Sequence, residues 1–223
     1  MQLTIFSCSP QVNEKSASAF IAQAFKIGFT SDHKNTADIY YLREHSQWEM
    51  YREKFAAGSR ILFVLPLYVD CIPGLLMEFF EYLAGWETLE SAALDKQLAF
   101  IVQSGFPEGL QLRTCELFLE KLPSHLGCEY AGTLVKGGLY GIAYAFGTRA
   151  KEQAGNAFMD WGKRFAKELS FEKEAADRFA APEKIEGIKL WTLKLMLPFS
   201  RLMWNRLARK TGVSGRLDEK PYA

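Results

Sequence analysis

Three hydroxyls, Ser9, Ser16 and Ser18, fall within a span of ten residues just ahead of an apolar-periodic stretch. Hydroxyls at a helix start lie beside unpaired N–H groups and the positive end of the helix dipole, a setting that suits a phosphate. The plain alternative is that Ser16 or Ser18 is an N-cap. A second segment, Pro66-Leu67-Tyr68-Val69-Asp70-Cys71-Ile72-Pro73-Gly74, sets aromatic and apolar side chains between an apolar run and a helix start. A planar ligand needs such a wall, together with backbone donors and acceptors for its polar edge. Tyr68 is the candidate for stacking. Asp70 has two readings, a ligand contact or the cap of a helix that Pro73 begins. In a third segment, Ser104-Gly105-Phe106-Pro107-Glu108-Gly109, Gly105 lets the backbone approach a ligand closely, and Phe106 reads as a lid or a loop anchor. Neither G-x-G-x-x-G nor G-x-x-x-x-G-K-[ST] occurs.

The remaining reactive side chains form no such pattern. Cys8, Cys71, Cys115 and Cys128 make no C-x-x-C pair and lie at no zinc-ligand spacing to a histidine. Cys8 and Cys71 both follow apolar runs, so they read either as a redox pair or as two small buried residues. His33, His45 and His125 read as surface histidines, with no G-x-S-x-G elbow to serve. The acidic residues show no metal-ligand spacing, so neither a metal site nor a catalytic acid or base is assigned.

The elements that position these segments follow from hydrophobic periodicity. Short apolar runs at Leu3–Phe6, Ala37–Leu42, Ile61–Leu67, Gln97–Gln103 and Tyr130–Val135 read as strands. Helical patterns lie between and after them. They cover residues 16–29 (Phe20, Ile21, Ala24, Phe25, Ile27) and 46–57 (Trp48, Tyr51, Phe55, Ala56). Others run from Pro73-Gly74 to Leu83, over 109–122 (Leu110, Leu117, Phe118, Leu122), and over 149–169. This alternation predicts βαβ units and a parallel sheet covered on both faces. Five strands are too few for the eight-stranded barrel, which leaves an open, doubly wound α/β sheet in flavodoxin order, 2-1-3-4-5. Ligands of such sheets bind beyond the carboxyl ends of the strands. That rule selects the three segments above and a fourth loop, Lys136–Gly141.

The chain has 223 residues, 48% hydrophobic and 24% charged, with a net charge of +1. This suits one domain, residues 1–182, and a C-terminal extension, residues 183–223. Near-neutrality supplies no global drive toward nucleic acid. Free thiols, no basic leader and no long apolar run lead us to expect a cytoplasmic protein. Residues 184–210 stand apart. Lys184, Lys189, Lys194, Arg201, Arg206, Arg209 and Lys210 face only Glu186, and they are interleaved with Leu190, Trp191, Leu202, Trp204 and other apolar side chains. Pro198 would kink a helix there. Such a segment packs on the domain or a second subunit, or lies on a membrane surface. Nearly continuous hydrophobicity favours packing or dimerisation.

The three loop segments together resemble the flavodoxin-like NAD(P)H-dependent FMN reductases over residues 1 to about 170. Pro66–Gly74 carries the most specific match. The resemblance implies that Ser9, Pro10, Ser16, Ala17 and Ser18 hold the phosphate of FMN. Pro66, Leu67, Tyr68, Val69 and Asp70 would border the ring, with Ser104, Gly105 and Phe106 at its other side. It implies NAD(P)H as co-substrate, a small electron acceptor such as a quinone or flavin, and a homodimer. Cys8 stands where the family usually has glycine and would narrow the approach to the phosphate. Residues 43–60 lack the cysteines that some relatives use for an iron–sulfur cluster. Two alternatives stay open: a flavodoxin-type electron carrier, and a cofactor-free binding or membrane-associated module on the same fold.

Overall fold

The computed structural model describes residues 1–11, 16–86, 95–139 and 148–187, with Leu190, Trp191, Leu202, Asn205, Arg206 and Arg209 beyond them. Five strands form one sheet: β1 (Gln2–Ser7), β2 (Thr36–Tyr41), β3 (Arg60–Pro66), β4 (Gln97–Gln103) and β5 (Glu129–Lys136). Every neighbouring pair is parallel, in the order β2-β1-β3-β4-β5. The described helices are α1 (Ala17–Phe29), α2 (Trp48–Ala57), α3 (Gly74–Ala84), α4 (Leu110–His125), α5 (Thr148–Glu168) and α6 (Lys173–Ala180). This is the flavodoxin-like arrangement that the alternation of patterns predicts.

β3 and β4 are buried from their second residue onward, because their alternate side chains feed two cores. Leu3, Ile5, Leu62, Val64, Ala99 and Ile101 meet residues of α1, α5 and α6 on one face. Phe6, Phe63, Leu65, Phe100 and Val102 meet residues of α2, α3 and α4 on the other. On that second face an aromatic row crosses the sheet in register, Tyr40–Phe6–Phe63–Phe100. Its ring centroids are 5.7, 5.4 and 5.7 Å apart. Burying each phenylalanine stabilises by about 1.5–3 kcal/mol, so this row is a main anchor of the fold.

α1 and α5 pack backbone against backbone. A Cβ on Gly28 would run into the Met159 main chain, and one on Gly162 into the Phe25 carbonyl. Glycine is required at both positions by the close approach of the helices. β5 bulges at Gly132 (φ +103), where the Phe171 N–H donates to the Ala131 carbonyl at 2.8 Å.

The structure corrects three expectations about helices. The inner face of α4 is Leu112, Cys115, Leu119 and Leu122, whereas Leu110, Leu117 and Phe118 are exposed. Two apolar stripes compete on this helix, and only tertiary contact selects between them. Ile27 of α1 is likewise exposed. α6 has no counterpart among the predicted elements. Its start is fixed by Glu172, whose carboxylate accepts the Glu174 and Ala175 N–H groups at 2.8 Å each. Those two bonds hold the Glu172 carboxyl below its ordinary range.

The chain divides into two units, residues 1–184 and 185–223. In the second unit, Gly187, Leu190, Trp191, Leu202, Asn205, Arg206 and Arg209 are helical. Leu190, Trp191, Leu202, Arg206 and Arg209 are exposed. The expected kink at Pro198 lies outside the described residues, as do Lys189, Lys194, Arg201 and Lys210. No helix among the described residues is long and apolar enough to cross a membrane.

Candidate functional site

Because all five strands are parallel, their carboxyl ends share one edge. The ladder continues past the strands. The Cys8 N–H donates to the Val64 carbonyl (2.9 Å), Leu67 N–H to Gln103 (2.7 Å), and Ser104 N–H to Lys136 (3.1 Å). The loops after β1, β3, β4 and β5 therefore start side by side. β1 is flanked by β2 on one side and β3 on the other, which makes the β1–β3 gap the switch point.

At the first loop, Ser16 is the N-cap of α1, its Oγ accepting the Ala19 N–H at 3.2 Å. Ser9 Oγ accepts the Gln11 N–H at 3.2 Å. Ser18 differs from both. Its side chain is fully buried, and its hydroxyl has no hydrogen-bond partner among the described residues. An unpaired buried hydroxyl costs about 1–3 kcal/mol, so this position calls for an acceptor. Beside it, the first-turn N–H groups of α1 have no intrahelical acceptor, and that turn holds no acidic residue. Ser9, Ser16, Ala17 and Ser18 thus fit an anionic group. Pro10 is exposed on the outer side of the loop, and Val12–Lys15 lie outside the described residues.

Cys8 does not narrow this approach. It packs with Phe6 and Phe63 on the face covered by α2, α3 and α4, whereas α1 belongs to the opposite core. Its thiol points to the Phe6 carbonyl at 3.4 Å, and burial pushes it well above the usual range. Such a thiol is inert. Cys71 is exposed, contrary to the expectation of two small buried residues. The two cysteines thus occupy opposite environments, which gives a redox pair no support.

After β3 the chain makes a two-residue hairpin. Tyr68 and Cys71 exchange N–H···O=C bonds of 3.0 and 3.1 Å around Val69 (φ +47) and Asp70 (φ +65). Asn-Gly is the usual choice for such a turn. A β-branched residue in this region costs about 1–3 kcal/mol, and such strain clusters at ligand clamps. Val69 is 91% exposed, so no packing offsets the strain. Asp70 does not cap α3. The helix starts at Gly74, its N-cap is Pro73, and no side chain bonds there. Pro73 therefore stands one position before the helix rather than in its first turn, and the tight turn spends Asp70 on its own geometry.

After β4, Ser104 Oγ donates to the Phe106 carbonyl and accepts the Phe106 N–H, both at 3.1 Å. The loop after β5 is laced to this one. The Gly138 N–H donates to the Phe106 carbonyl (2.8 Å), the Leu139 N–H to the Ser104 carbonyl (2.9 Å), and any Cβ on Gly137 would strike the Phe106 carbonyl. Residues 140–141 of the fourth loop lie outside the described residues. Tyr68 (44% exposed) and Phe106 (58%) present aromatic rings to solvent from neighbouring exits of one edge, while Pro66, Leu67 and Ser104 lie buried beneath. Gly105 and Asp70 are exposed.

One part of the edge has no forecast in the sequence. The Pro182 and Glu183 carbonyls accept the Gly109 (2.9 Å) and Leu110 (3.1 Å) N–H groups, closing the N-terminus of α4. Arg113 pairs with Glu116 at 2.6 Å and with Asp177 and Glu183 at 2.9 Å each, and its charge is reinforced by them, Glu183 foremost. Lys136 donates to the Phe179 (2.7 Å) and Ala181 (3.1 Å) carbonyls at the end of α6. Burial lowers its pKa. The spacing of Phe171, Ala175 and Phe179 ahead of Pro182 is the signal that could have revealed α6. An apolar groove of about 360 Å³ between α1 and α5, bordered by Phe20, Ile27, Lys151 and Met159, opens on the outer helical layer rather than at this edge. The three histidines are exposed.

No family model and no curated protein matches the sequence. Solved structures match the fold. An FMN-dependent NADH-azoreductase from Bacillus anthracis, in complex with FMN, aligns over 75% of this chain and all of its own, with a TM-score of 0.56 and 14% identity. An NAD(P)H:quinone oxidoreductase from Methanothermobacter marburgensis aligns over 77% and 97%, with a TM-score of 0.54 and 15% identity. An NADH:FMN oxidoreductase aligns over 81% and 96%, with a TM-score of 0.55 and 15% identity. What these similarities show is the fold: this chain is a flavodoxin-like α/β protein.

Proposed function

We propose that the protein is an FMN-dependent NAD(P)H oxidoreductase that passes electrons to a small acceptor such as a quinone or a flavin. The carrying observation is the buried, unpartnered Ser18 hydroxyl in the first turn of α1, at the switch point of the sheet. Bound FMN would supply hydride acceptance and onward electron transfer, chemistry that belongs to the cofactor. The chain's own share is binding and orientation. Ser18, with Ser9, Ser16, the Ala17 backbone and the neighbouring Pro10, would take the phosphate. The strained Tyr68–Cys71 hairpin and its Pro66–Leu67 base would border one side of the ring, Val69 and Asp70 included. The Ser104-Gly105-Phe106 loop, braced by Gly137 and Gly138, would border the other. Fold-level likeness to reductases that use FMN and NAD(P)H supports this reading.

Titration of the purified chain with FMN tests it. The expected result is saturable uptake with quenching of flavin fluorescence, a weaker association for Ser18→Ala, and bleaching of the bound flavin by NADH or NADPH. A chain that takes up no FMN sinks the proposal. Uptake with sluggish bleaching by both nucleotides would favour the carrier instead. The acidic excess of residues 1–184, 23 acidic against 19 basic, is small for a carrier that docks by charge.

A further inference from the structure

The near-neutral total conceals a segregation of charge. Residues 1–184 hold 19 basic and 23 acidic residues, while residues 185–223 hold eight basic and three acidic. In the second unit, Trp191 is 66% exposed and Leu202 52%, and Arg206 and Arg209 are exposed on the same described helical stretch. Apolar and cationic side chains thus face solvent together. The point of attachment is equally informative. Glu183 is held by its carbonyl at the N-terminus of α4 and by its carboxylate on Arg113, directly after the Ser104–Gly109 loop. From that fixed point, residues 184–190 can reach at most about 25 Å even when fully extended. The basic unit is therefore tethered to the carboxyl edge.

We propose that residues 185–210 bind an anionic lipid surface and so keep the carboxyl edge of the sheet close to the membrane. The chemistry selects this occupant. Lipid takes both halves of the segment: its acyl boundary receives Trp191 and Leu202, and its phosphates attract the arginines and lysines. A nucleic acid would leave the apolar half in water. A symmetric pairing with a second copy would bring two such cationic segments together, and they repel. For the proposed oxidoreductase, the consequence is an acceptor that partitions into lipid. That last step alone rests on the flavin reading.

The test is flotation of the full chain with phosphatidylcholine vesicles, with and without about 30 mol% phosphatidylglycerol. We expect binding to the anionic vesicles only, lost when salt is raised from about 0.1 to 0.5 M. Arg206→Glu with Arg209→Glu should weaken binding by roughly a hundred-fold, and Trp191→Ser by about ten-fold, with far-UV circular dichroism and Tm unchanged. Equal binding to both vesicle types overturns the proposal. So does no binding, or a dimer in sedimentation velocity that the two arginine reversals dissociate. Flotation without FMN uptake would sink the flavin reading and leave this one standing. FMN uptake without flotation would do the reverse.

Discussion

Ser18 makes two opposite demands that a single substitution separates. In the ligand-free protein its hydroxyl is buried and unpaired, so Ser18→Ala should raise stability to urea by about 1 kcal/mol. In the FMN complex the same change removes a donor to an anion and should weaken affinity by about ten-fold or more, read by fluorescence titration. A purely structural serine would not show both signs. Val69 offers a second test of strain. Asparagine tolerates φ near +47, so Val69→Asn should stabilise the free protein by about 1 kcal/mol without loss of packing. At this scale the hydroxyl-rich loop and the Pro66–Gly74 wall were legible from residue types alone. Which serine is a cap and which is left without a partner was not, because that depends on a few tenths of an ångström around the first turn of α1. Nor could the side on which Cys8 lies be read, since it depends on the phase of β1.

Among the elements, the α1–α5 crossing sets the sharpest limit. Gly162→Ala would push a methyl group into the Phe25 carbonyl, and Gly28→Ala one into the Met159 main chain. Each should cost about 2–3 kcal/mol in chemical denaturation, with a lower midpoint and an unchanged slope. The strands and their order were legible because β3 and β4 are continuously apolar and β1 is bounded by Ser-Cys-Ser-Pro. The inner face of α4 was misassigned because Leu110, Leu117 and Phe118 form a second apolar stripe that solvent, rather than the core, receives. α6 escaped notice for a different reason. It is eight residues long, and much of its hold comes from Lys136, Arg113 and a carboxylate cap, none of which has a periodicity to detect.

For the molecule as a whole, alkaline pH should reveal the buried tyrosine. Burial, reinforced by the hydrogen bond to Glu44, lifts Tyr51 from 10.0 to about 12. The unfolded chain therefore loses this proton first, and the stability it contributes, complete below pH 10, falls as pH rises toward 12. The loss should approach about 2 kcal/mol, and Tyr51→Phe should flatten it in urea titrations across that window. The aromatic row on the same face has a further consequence. Tyr40, Phe6, Phe63 and Phe100 cross the middle of the sheet, whereas every ligand loop leaves from its carboxyl edge. Amide hydrogens along that row should exchange with solvent deuterium only when the whole domain opens, while those of Tyr68–Cys71 and Ser104–Gly109 exchange earlier and slow down once a ligand is held. The sheet would then keep two clocks, a slow one at its centre and a ligand-set one at its rim.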